Sequence, residues 1–292
     1  MSNHFQTIRD ILRHTITQFN SSDLFFGHGC KNAFDEAVYL IFHHLKIPSN
    51  NLEYLLDSKL SKIEVDQISK VIKKRIKERI PACYITNEAW LGDYHFYVDN
   101  NVVIPRSFLF ELIIEKFQPW IKNPQKIDNI LELCTGSGCL SILLAENFTN
   151  AEIDASDISN KALKIAKKNI TYYGYNKRVK IIKSDLFKNL SASKYDLIVT
   201  NPPYVATTRL KTLPEEYQHE PEIGLNGGSD GMEIIRKIIV KSKSFLKKNG
   251  FLIIEIGNKN PYFEKELIKF DPIWLSTSGG DHSVILINEE KL

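Results

Sequence analysis

Strand-like and helix-like segments alternate between residues 126 and 256, and this alternation constrains the fold more than any other feature of the sequence. Apolar runs typical of buried strands occupy residues 130–133, 151–157, 179–184, 195–200 and 251–256. Helical patterns separate them at 140–147, 160–174 and 231–247. Such alternation predicts an α/β fold, with a parallel sheet covered by helices on both faces. Apolar segments at 272–275 and 283–287, joined by a glycine turn, predict two final strands, at least one of them antiparallel.

The first part of the chain lacks this alternation and shows helical periodicity instead. Apolar residues recur at helical spacing in three segments, 5–19, 34–45 and 65–76. An alternating stretch at 94–98, a turn at 99–101 and an apolar stretch at 102–104 then predict a β-hairpin. Ser107 is the predicted N-cap of the helix that follows. We therefore predict three parts: a helical domain at 1–84, a β-hairpin linker at 85–106 and an α/β domain at 107–292.

Composition and charge narrow the class of protein. The 292 residues are 43% hydrophobic and 25% charged, which is ordinary for a soluble protein, and the net charge of +3 requires no nucleic-acid partner. None of the four cysteines forms a C-x-x-C pair, so we expect reduced thiols and no metal site. Charged residues interrupt the amino-terminal apolar pattern, and no apolar run approaches membrane-spanning length. A cytoplasmic protein without a membrane partner is expected.

A glycine-rich loop follows the first strand of the α/β domain. Gly136 and Gly138 let the backbone turn tightly and approach a ligand closely. Asp157, at the end of the next strand, lies 21 positions after Gly136, the spacing at which a carboxylate reaches the ribose hydroxyls of an adenosine ligand. Ser141 occupies the position of the third glycine of the dinucleotide fingerprint, and no pyrophosphate-binding sequence follows. These features favour S-adenosylmethionine over NAD.

A second carboxylate follows the third strand. Asp185 is placed to receive an adenine amino group, and Leu186 to lie against the ring. The alternative for both Asp157 and Asp185 is a turn carboxylate that caps the next helix.

The sequence Asn201-Pro202-Pro203-Tyr204 ends the fourth strand. Two prolines cannot continue a central β-ladder, so the chain must turn there, at the sheet edge where α/β proteins bind ligands. The Asn201 side-chain carbonyl and the Pro202 backbone carbonyl could together accept both hydrogens of one planar NH2 group. Tyr204 offers a flat face for stacking. The pattern favours methylation of an amino or amide nitrogen; the alternative is a proline-rich turn with a helix-capping Asn201.

A long polar stretch, 205–231, follows this corner. A loop of that length inside a compact domain is usually functional or disordered, and we interpret it as a lid or substrate-binding loop. His219 and Glu220 are candidate substrate contacts, with turn or surface roles as the alternative.

Three of these stretches together, 132–139, 201–204 and 219–225, resemble the HemK-type protein-(glutamine-N5) methyltransferases. The resemblance covers nearly the whole chain. Four further stretches, at 26–29, 32–37, 84–90 and 105–107, resemble the PrmB branch, which methylates the third protein of the large ribosomal subunit, more than the release-factor branch. One departure, the sequence at 279–283, affects a terminal turn only.

The resemblance implies a class I, Rossmann-like methyltransferase fold with S-adenosylmethionine as cofactor and S-adenosylhomocysteine as product. It implies a cofactor site formed by Cys134, Thr135, Gly136, Ser137, Gly138, Asp157, Asp185, Leu186 and Asn201. It also implies a substrate site at Asn201, Pro202, Pro203 and Tyr204, with Asn201, Pro202 and Tyr204 catalytic. The helical domain would dock the ribosomal protein.

Four alternatives remain open at this point. Two are other methyltransferases: one acting on release factors, and one acting on a flipped-out base of DNA or RNA, which the modest charge and the lack of a basic recognition module disfavour. The third is an NAD-dependent oxidoreductase. The fourth is a non-catalytic assembly factor that binds cofactor without turnover.

Overall fold

The computed structural model describes residues 5–48, 52–191, 194–257 and 261–292. Their internal contacts divide the chain into two compact units. The helical unit contains residues 1–89 and 214–219, and the α/β unit contains residues 90–213 and 220–292.

The described part of the helical unit contains five α-helices, and sequence signals fix the ends of the longer ones. They are α1 (Ile8–Asn20), α2 (Ala33–Leu45), α3 (Leu52–Leu55), α4 (Lys62–Glu78) and α5 (Ala82–Thr86). Capping boxes start α1 and α4, because Thr7 and Ser61 each accept a backbone N–H while Asp10 and Glu64 reach back to the cap. The apolar faces of α1, α2 and α4 converge on a core that includes Phe19, Leu40, Ile41 and Ile68, all at most 1% exposed.

Two short strands, β1 (Glu88–Leu91) and β2 (Tyr94–Tyr97), pair in a small sheet of their own. Their turn is Gly92-Asp93, with Gly92 at a φ of +59°. The hairpin prediction was therefore wrong about the partner of the Tyr94 strand, which pairs with the preceding segment and not with 102–104. The Ile104 N–H instead donates to the Glu220 carboxylate, 2.9 Å away, so the 102–104 segment joins no ladder.

The α/β unit is built on a seven-stranded sheet. Its strands are β3 (Asn129–Leu133), β4 (Glu152–Asp157), β5 (Val179–Lys183), β6 (Tyr195–Thr200), β7 (Leu246–Glu255), β8 (Ile273–Thr277) and β9 (Gly280–Asn288). Their spatial order is β5-β4-β3-β6-β7-β9-β8. The first five pair in parallel, while β9 runs antiparallel to both β7 and β8.

Helices cover both faces of this sheet, as the alternation predicted. They are α6 (Leu109–Ile114), α7 (Cys139–Asn147), α8 (Asn160–Tyr172), α10 (Glu233–Ser242) and α11 (Pro261–Leu267). A further short helix, α9 (Thr207–Leu210), has no buried residue. Successive side chains of β6 point to opposite faces of the sheet: Leu197 and Val199 pack with α6, α7 and α8, whereas Ile198 packs with α10. The predicted α/β class is confirmed.

Two local expectations were wrong. The helix predicted at 231–247 ends at Ser242, because residues from Leu246 onward belong to β7. Phe108, not Ser107, is the residue that caps α6, although the Ser107 hydroxyl still accepts the Leu109 N–H at 3.2 Å.

The strand order reverses between β3 and β6, since the chain builds outward through β4 and β5 and then returns to the other side of β3. A reversal of this kind opens a crevice at the carboxyl ends of the two strands, where α/β sheets bind their ligands.

Candidate active site

The predicted site residues lie in a row along the carboxyl edge of the sheet. Asp185 follows β5, Asp157 ends β4, the glycine loop follows β3 and Asn201 follows β6, in the same order as the strands lie in space. Leu133 and Thr200 are register partners on β3 and β6, and the Thr200 hydroxyl donates to the Leu133 carbonyl at 2.9 Å. At about 4.8 Å per strand the row spans roughly 15 Å, which suits one extended ligand.

The glycine loop joins β3 to α7 through left-handed backbone. Gly136 has a φ of +55°, Gly138 has a φ of +79°, and even Cys134 has a φ of +59°. A Cβ on Gly138 would lie 3.1 Å from the Cβ of Ala166 on α8, a tight contact in addition to the left-handed φ. A Cβ on Gly136 would meet nothing within 4 Å. The loop thus needs Gly138 for packing, and at Gly136 it leaves open space on the side where a ligand would lie.

Glu132, near the end of β3, is hydrogen-bonded to this loop and to the helix that follows it. Its side chain is 1% exposed and accepts hydrogen bonds from the Thr135 and Ser141 hydroxyls, the former at 2.6 Å. Burial raises the pKa of Glu132 to about 7, although both hydroxyl donors act in the opposite direction. This explains why a serine occupies the third glycine position: the Ser141 hydroxyl donates a hydrogen bond to the buried Glu132 carboxylate.

Asp157 ties the glycine loop to the end of β4. One carboxylate oxygen accepts the Gly136 N–H at 2.9 Å and the other accepts the Ser159 N–H at 2.8 Å. Burial raises the pKa of Asp157, while these two N–H groups oppose that rise. Each oxygen keeps a second lone pair, so the carboxylate can still accept hydrogen bonds from the two hydroxyls of a ribose.

Asp185 is the most exposed member of the row. Its carboxylate pairs with Lys188 at 2.6 Å, and its side chain is 46% exposed. The next residue, Leu186, has a φ of +50° and accepts the Ser184 hydroxyl on its carbonyl at 2.6 Å. The Ser184 side chain therefore makes the hydrogen bonds that hold this turn, and the Asp185 carboxylate accepts none from the backbone of the described residues.

The corner after β6 leaves two acceptors without an internal partner. Neither the Asn201 side chain nor the Pro202 carbonyl accepts a hydrogen bond from any residue that the structure describes. Pro202 and Pro203 are buried and Asn201 is half-buried. Polar atoms at a folded, partly buried corner are normally hydrogen-bonded, so a corner that leaves two neighbouring acceptors open is suited to a ligand with two donors.

Tyr204 completes the corner and is held against the end of β7. A Cβ on Gly257 would lie 2.4 Å from Cδ2 of the tyrosine ring, so the ring packs against bare backbone. The Tyr204 hydroxyl donates to Oε1 of Glu255 across 3.4 Å.

The stretch after the corner is more ordered than a free lid. It contains α9 and short 3-10 helices at Glu215–His219 and Glu222–Gly224. Glu220 is 5% exposed and takes a bidentate hydrogen bond from Arg106, at 2.5 and 2.6 Å. The His219 ring nitrogen Nε2 lies 2.8 Å from the carbonyl oxygen of Glu78. Both residues therefore have structural contacts, and neither is favoured as a substrate contact.

Residues Pro214–His219 fold with the helical unit. Glu216 is fully buried there and accepts hydrogen bonds from Arg75, Arg79 and the Phe25 N–H, all within 3.1 Å. The buried Arg75 also donates to Glu36 at 2.6 Å.

Sequence reasoning missed three buried carboxylates that organise these regions: Glu132, Glu216 and Glu255. A signal existed for two of them. Glu132 is the last but one residue of β3 and Glu255 is the last of β7; both lie in strongly apolar runs, where an acidic residue must have buried partners. Nothing in the sequence indicates the partners of Glu216, which lie more than a hundred positions away.

Comparisons with known proteins show which family the chain belongs to. A model of the methyltransferase small domain matches residues 111–215. The ribosomal protein uL3 glutamine methyltransferase of Burkholderia pseudomallei is 45% identical over 99% of this chain and 96% of its own length. The enzyme of the same name from Neisseria gonorrhoeae is 46% identical over 98% of this chain and 95% of its own length. The chain belongs to this family. The uL3 glutamine methyltransferase family is the branch that the sequence resemblance indicated.

The fold has wider relatives. The catalytic domain of hMettl16, solved in complex with a MAT2A 3′UTR hairpin, superposes with a TM-score of 0.53 at 15% identity, over 77% of this chain and 80% of that one. At this identity the likeness concerns the fold alone. It confirms the class I methyltransferase architecture expected for a uL3 glutamine methyltransferase.

Two features are absent from the described residues. No helix among them combines the length and hydropathy needed to cross a membrane. They also hold no group of three or more His, Cys, Asp or Glu side chains arranged for a metal ion.

Proposed function

We propose that this protein transfers a methyl group from S-adenosylmethionine to the side-chain amide nitrogen of a glutamine in ribosomal protein uL3. One observation carries the proposal: two open acceptors, the Asn201 side chain and the Pro202 carbonyl, stand beside the glycine loop at the strand reversal. Family membership supports the substrate, because the relatives that share nearly the full length of the chain are named for uL3. A ribosomal-protein substrate supports a cytoplasmic place of action.

The residues of the row suit S-adenosylmethionine. Open space beside Gly136 accommodates the methionine end, together with the rest of the loop from Cys134 to Gly138. Asp157 would bind the ribose hydroxyls through its free lone pairs, and Asp185 with Leu186 would bind the adenine. No phosphate-binding cation lies in the loop, which fits a cofactor that has ribose and adenine but no pyrophosphate. When bound, the cofactor supplies an electrophilic methyl group.

The corner addresses the chemical difficulty of the acceptor. An amide nitrogen is a weak nucleophile, because its lone pair is delocalised into the carbonyl. Asn201 and the Pro202 carbonyl would accept the two N–H bonds of the substrate NH2 group, and Tyr204 would stack on the amide plane. Both contacts fix the nitrogen in near-attack geometry, and acceptors aimed at the N–H groups become more favourable as positive charge develops on nitrogen.

We assign substrate docking to the helical unit. The stretches that resemble the ribosomal-protein branch are concentrated in the first ninety or so residues of the sequence. The Pro214–His219 segment folds with those residues, so we include it in the docking unit. Specificity would then depend on presentation of the glutamine, while the corner supplies the chemistry.

The variant Asn201→Ala tests the proposal. We expect it to fold and to bind S-adenosylmethionine normally but to lose roughly 100-fold or more in turnover, the scale of removing one transition-state hydrogen-bonding group. The matched control is Asn150→Ala, an exposed turn residue, which should retain turnover. Near-normal turnover of Asn201→Ala would mean that another group holds the amide. Parallel assays with a release factor and with ribosomal RNA test the two rival substrates.

A further inference from the structure

Glu255 is a buried carboxylate at the carboxyl edge of the sheet to which the proposed chemistry assigns no role. It ends β7 and is 1% exposed. Thr200 pairs with Ile254 in the parallel β6–β7 ladder, so Asn201 and Glu255 leave neighbouring strands at the same level.

Three groups from two other segments converge on this carboxylate. Its Oε2 accepts the Ser107 hydroxyl at 2.6 Å and the Phe108 N–H at 3.0 Å, while its Oε1 faces the Tyr204 hydroxyl at 3.4 Å. No lysine, arginine or histidine of the described residues forms an ion pair with it. Burial raises the pKa of Glu255 to about 7, against the effect of its hydrogen bonds. An acid buried without a cation costs stability, so its presence at a ligand-binding edge calls for a role.

The Tyr204 ring packs against the backbone that follows the same strand. The ring packs against Gly257, two residues after Glu255. Gly257 has a φ of +64° and no side chain, so the ring can lie directly on its backbone. Packing against Gly257 holds the ring at its Cδ2–Cε2 edge. The hydroxyl contact with Glu255 holds the ring at a second point, its far end.

We propose that Glu255 is a positioning residue for methyl transfer: it holds the Tyr204 hydroxyl so that the ring presents a fixed face to the substrate amide. This rests on the proposed function of the corner. The 3.4 Å separation is long for an O–H···O bond, and hydrogen bonds at catalytic sites are often long until substrate binds. Glu255 therefore acts through Tyr204 and touches neither the amide nor the cofactor.

A purely structural role is the rival explanation, because Glu255 also accepts the Phe108 N–H at the start of α6. The two explanations differ in what a substitution changes. Loss of a structural anchor lowers stability, while loss of positioning lowers kcat with little change in KM.

The test compares Glu255→Leu, Glu255→Gln and Tyr204→Phe in the full chain, with uL3 as substrate. We expect Glu255→Leu to lower kcat about 10-fold, the scale of one hydrogen bond, with KM changed less than about threefold. Glu255→Gln should retain kcat within about twofold, because an amide keeps the acceptor for Ser107 and can donate to Tyr204. The double variant Glu255→Leu/Tyr204→Phe should be no slower than the slower single variant, since both remove the same contact.

The matched control is the phenol–carboxylate pair at the opposite end of β6. The Tyr195 hydroxyl donates to Asp154 at 2.7 Å, and Tyr195→Phe or Asp154→Asn should leave kcat unchanged. A Glu255→Leu variant that loses stability but keeps full kcat, or additive effects in the double variant, would overturn the positioning role.

A second measurement does not depend on the substrate. With 3-fluorotyrosine at position 204, Glu255→Leu should shift or broaden the fluorine resonance, whereas Asp154→Asn should not. An unchanged resonance would overturn the inference even if uL3 proved not to be the substrate. Absence of methylation by the wild-type chain would instead refute the proposed function alone.

Discussion

Replacing Glu216 by alanine removes the central acceptor of a buried charge cluster in the helical unit. Its carboxylate receives Arg75 Nη1 and Arg79 Nε, both at 2.9 Å, together with the Phe25 N–H at 3.0 Å. Arg75 is 1% exposed, and among the described residues it would keep Glu36 and the Phe25 carbonyl as hydrogen-bond partners. Glu216→Ala should therefore destabilise the helical unit.

The expected loss of stability is about 3–5 kcal/mol. Breaking a buried ion pair by removal of one partner costs about 3–5 kcal/mol. Burial alone would raise the pKa of Glu216, but hydrogen bonds from Arg79, the Phe25 N–H and Arg75 outweigh it and lower the pKa from 4.5 to about 2. A depression of this size corresponds to about 3 kcal/mol. Because the folded-state pKa is depressed, this stability is present above pH 4.5 and is lost as the pH falls toward 2.

Hydrogen exchange reports the effect locally. At pH 7, amides of α2 and α4 should exchange about 100-fold faster in Glu216→Ala, while amides of β3 and β6 should be unaffected. Glu215→Ala is the matched control, because Glu215 is next to Glu216 in the chain but its side chain is exposed. A stability loss below about 1 kcal/mol, or an equal loss in the Glu215 variant, would refute the reasoning.

Three further predictions concern the cofactor, pH and specificity. Asp157→Ala should weaken S-adenosylmethionine binding by about 1.5–3 kcal/mol in calorimetric titration, and NAD should not bind; binding of NAD but not of S-adenosylmethionine would contradict the cofactor assignment. Burial raises the pKa of Glu132 from 4.5 to about 7, so its contribution to stability is fully present below pH 4.5 and is lost as the pH rises through 7. Denaturant titrations should therefore show a lower free energy of unfolding at pH 8 than at pH 5, and Glu132→Gln should reduce this difference by up to about 3 kcal/mol. An equal difference in that variant would contradict the raised pKa of Glu132. Exchange of residues 1–89 and 214–219 for those of a release-factor enzyme should move or abolish preference for uL3, and an unchanged preference would place specificity in the α/β unit.

The sheet could be predicted because its strands have strong local signals. The strand at Tyr195–Thr200 was predicted to the residue, since an apolar run ends at two prolines that cannot continue a ladder. The glycine loop and Asp157 were placed by their spacing, and the structure joins them through the Gly136 N–H.

Long-range pairing explains what sequence reasoning missed. The apolar residues at 102–104 have a strand-like pattern, but Glu220 takes the Ile104 N–H and so removes it from any ladder. The actual hairpin had a signal that was overlooked, the two-residue Gly92-Asp93 turn. The buried role of Glu216 has no local signal, because both of its arginine partners come from a distant helix end.

The most direct test of the central claim is tandem mass spectrometry of uL3 after reaction with the purified protein and S-adenosylmethionine. The substrate should come from a strain that lacks this enzyme, so that the acceptor is unmodified. We predict a gain of one methyl group on uL3, located by fragmentation on a glutamine side chain, and no such gain with Asn201→Ala. A methyl group found only on a release factor or on ribosomal RNA, or no methylated glutamine at all, would contradict the account.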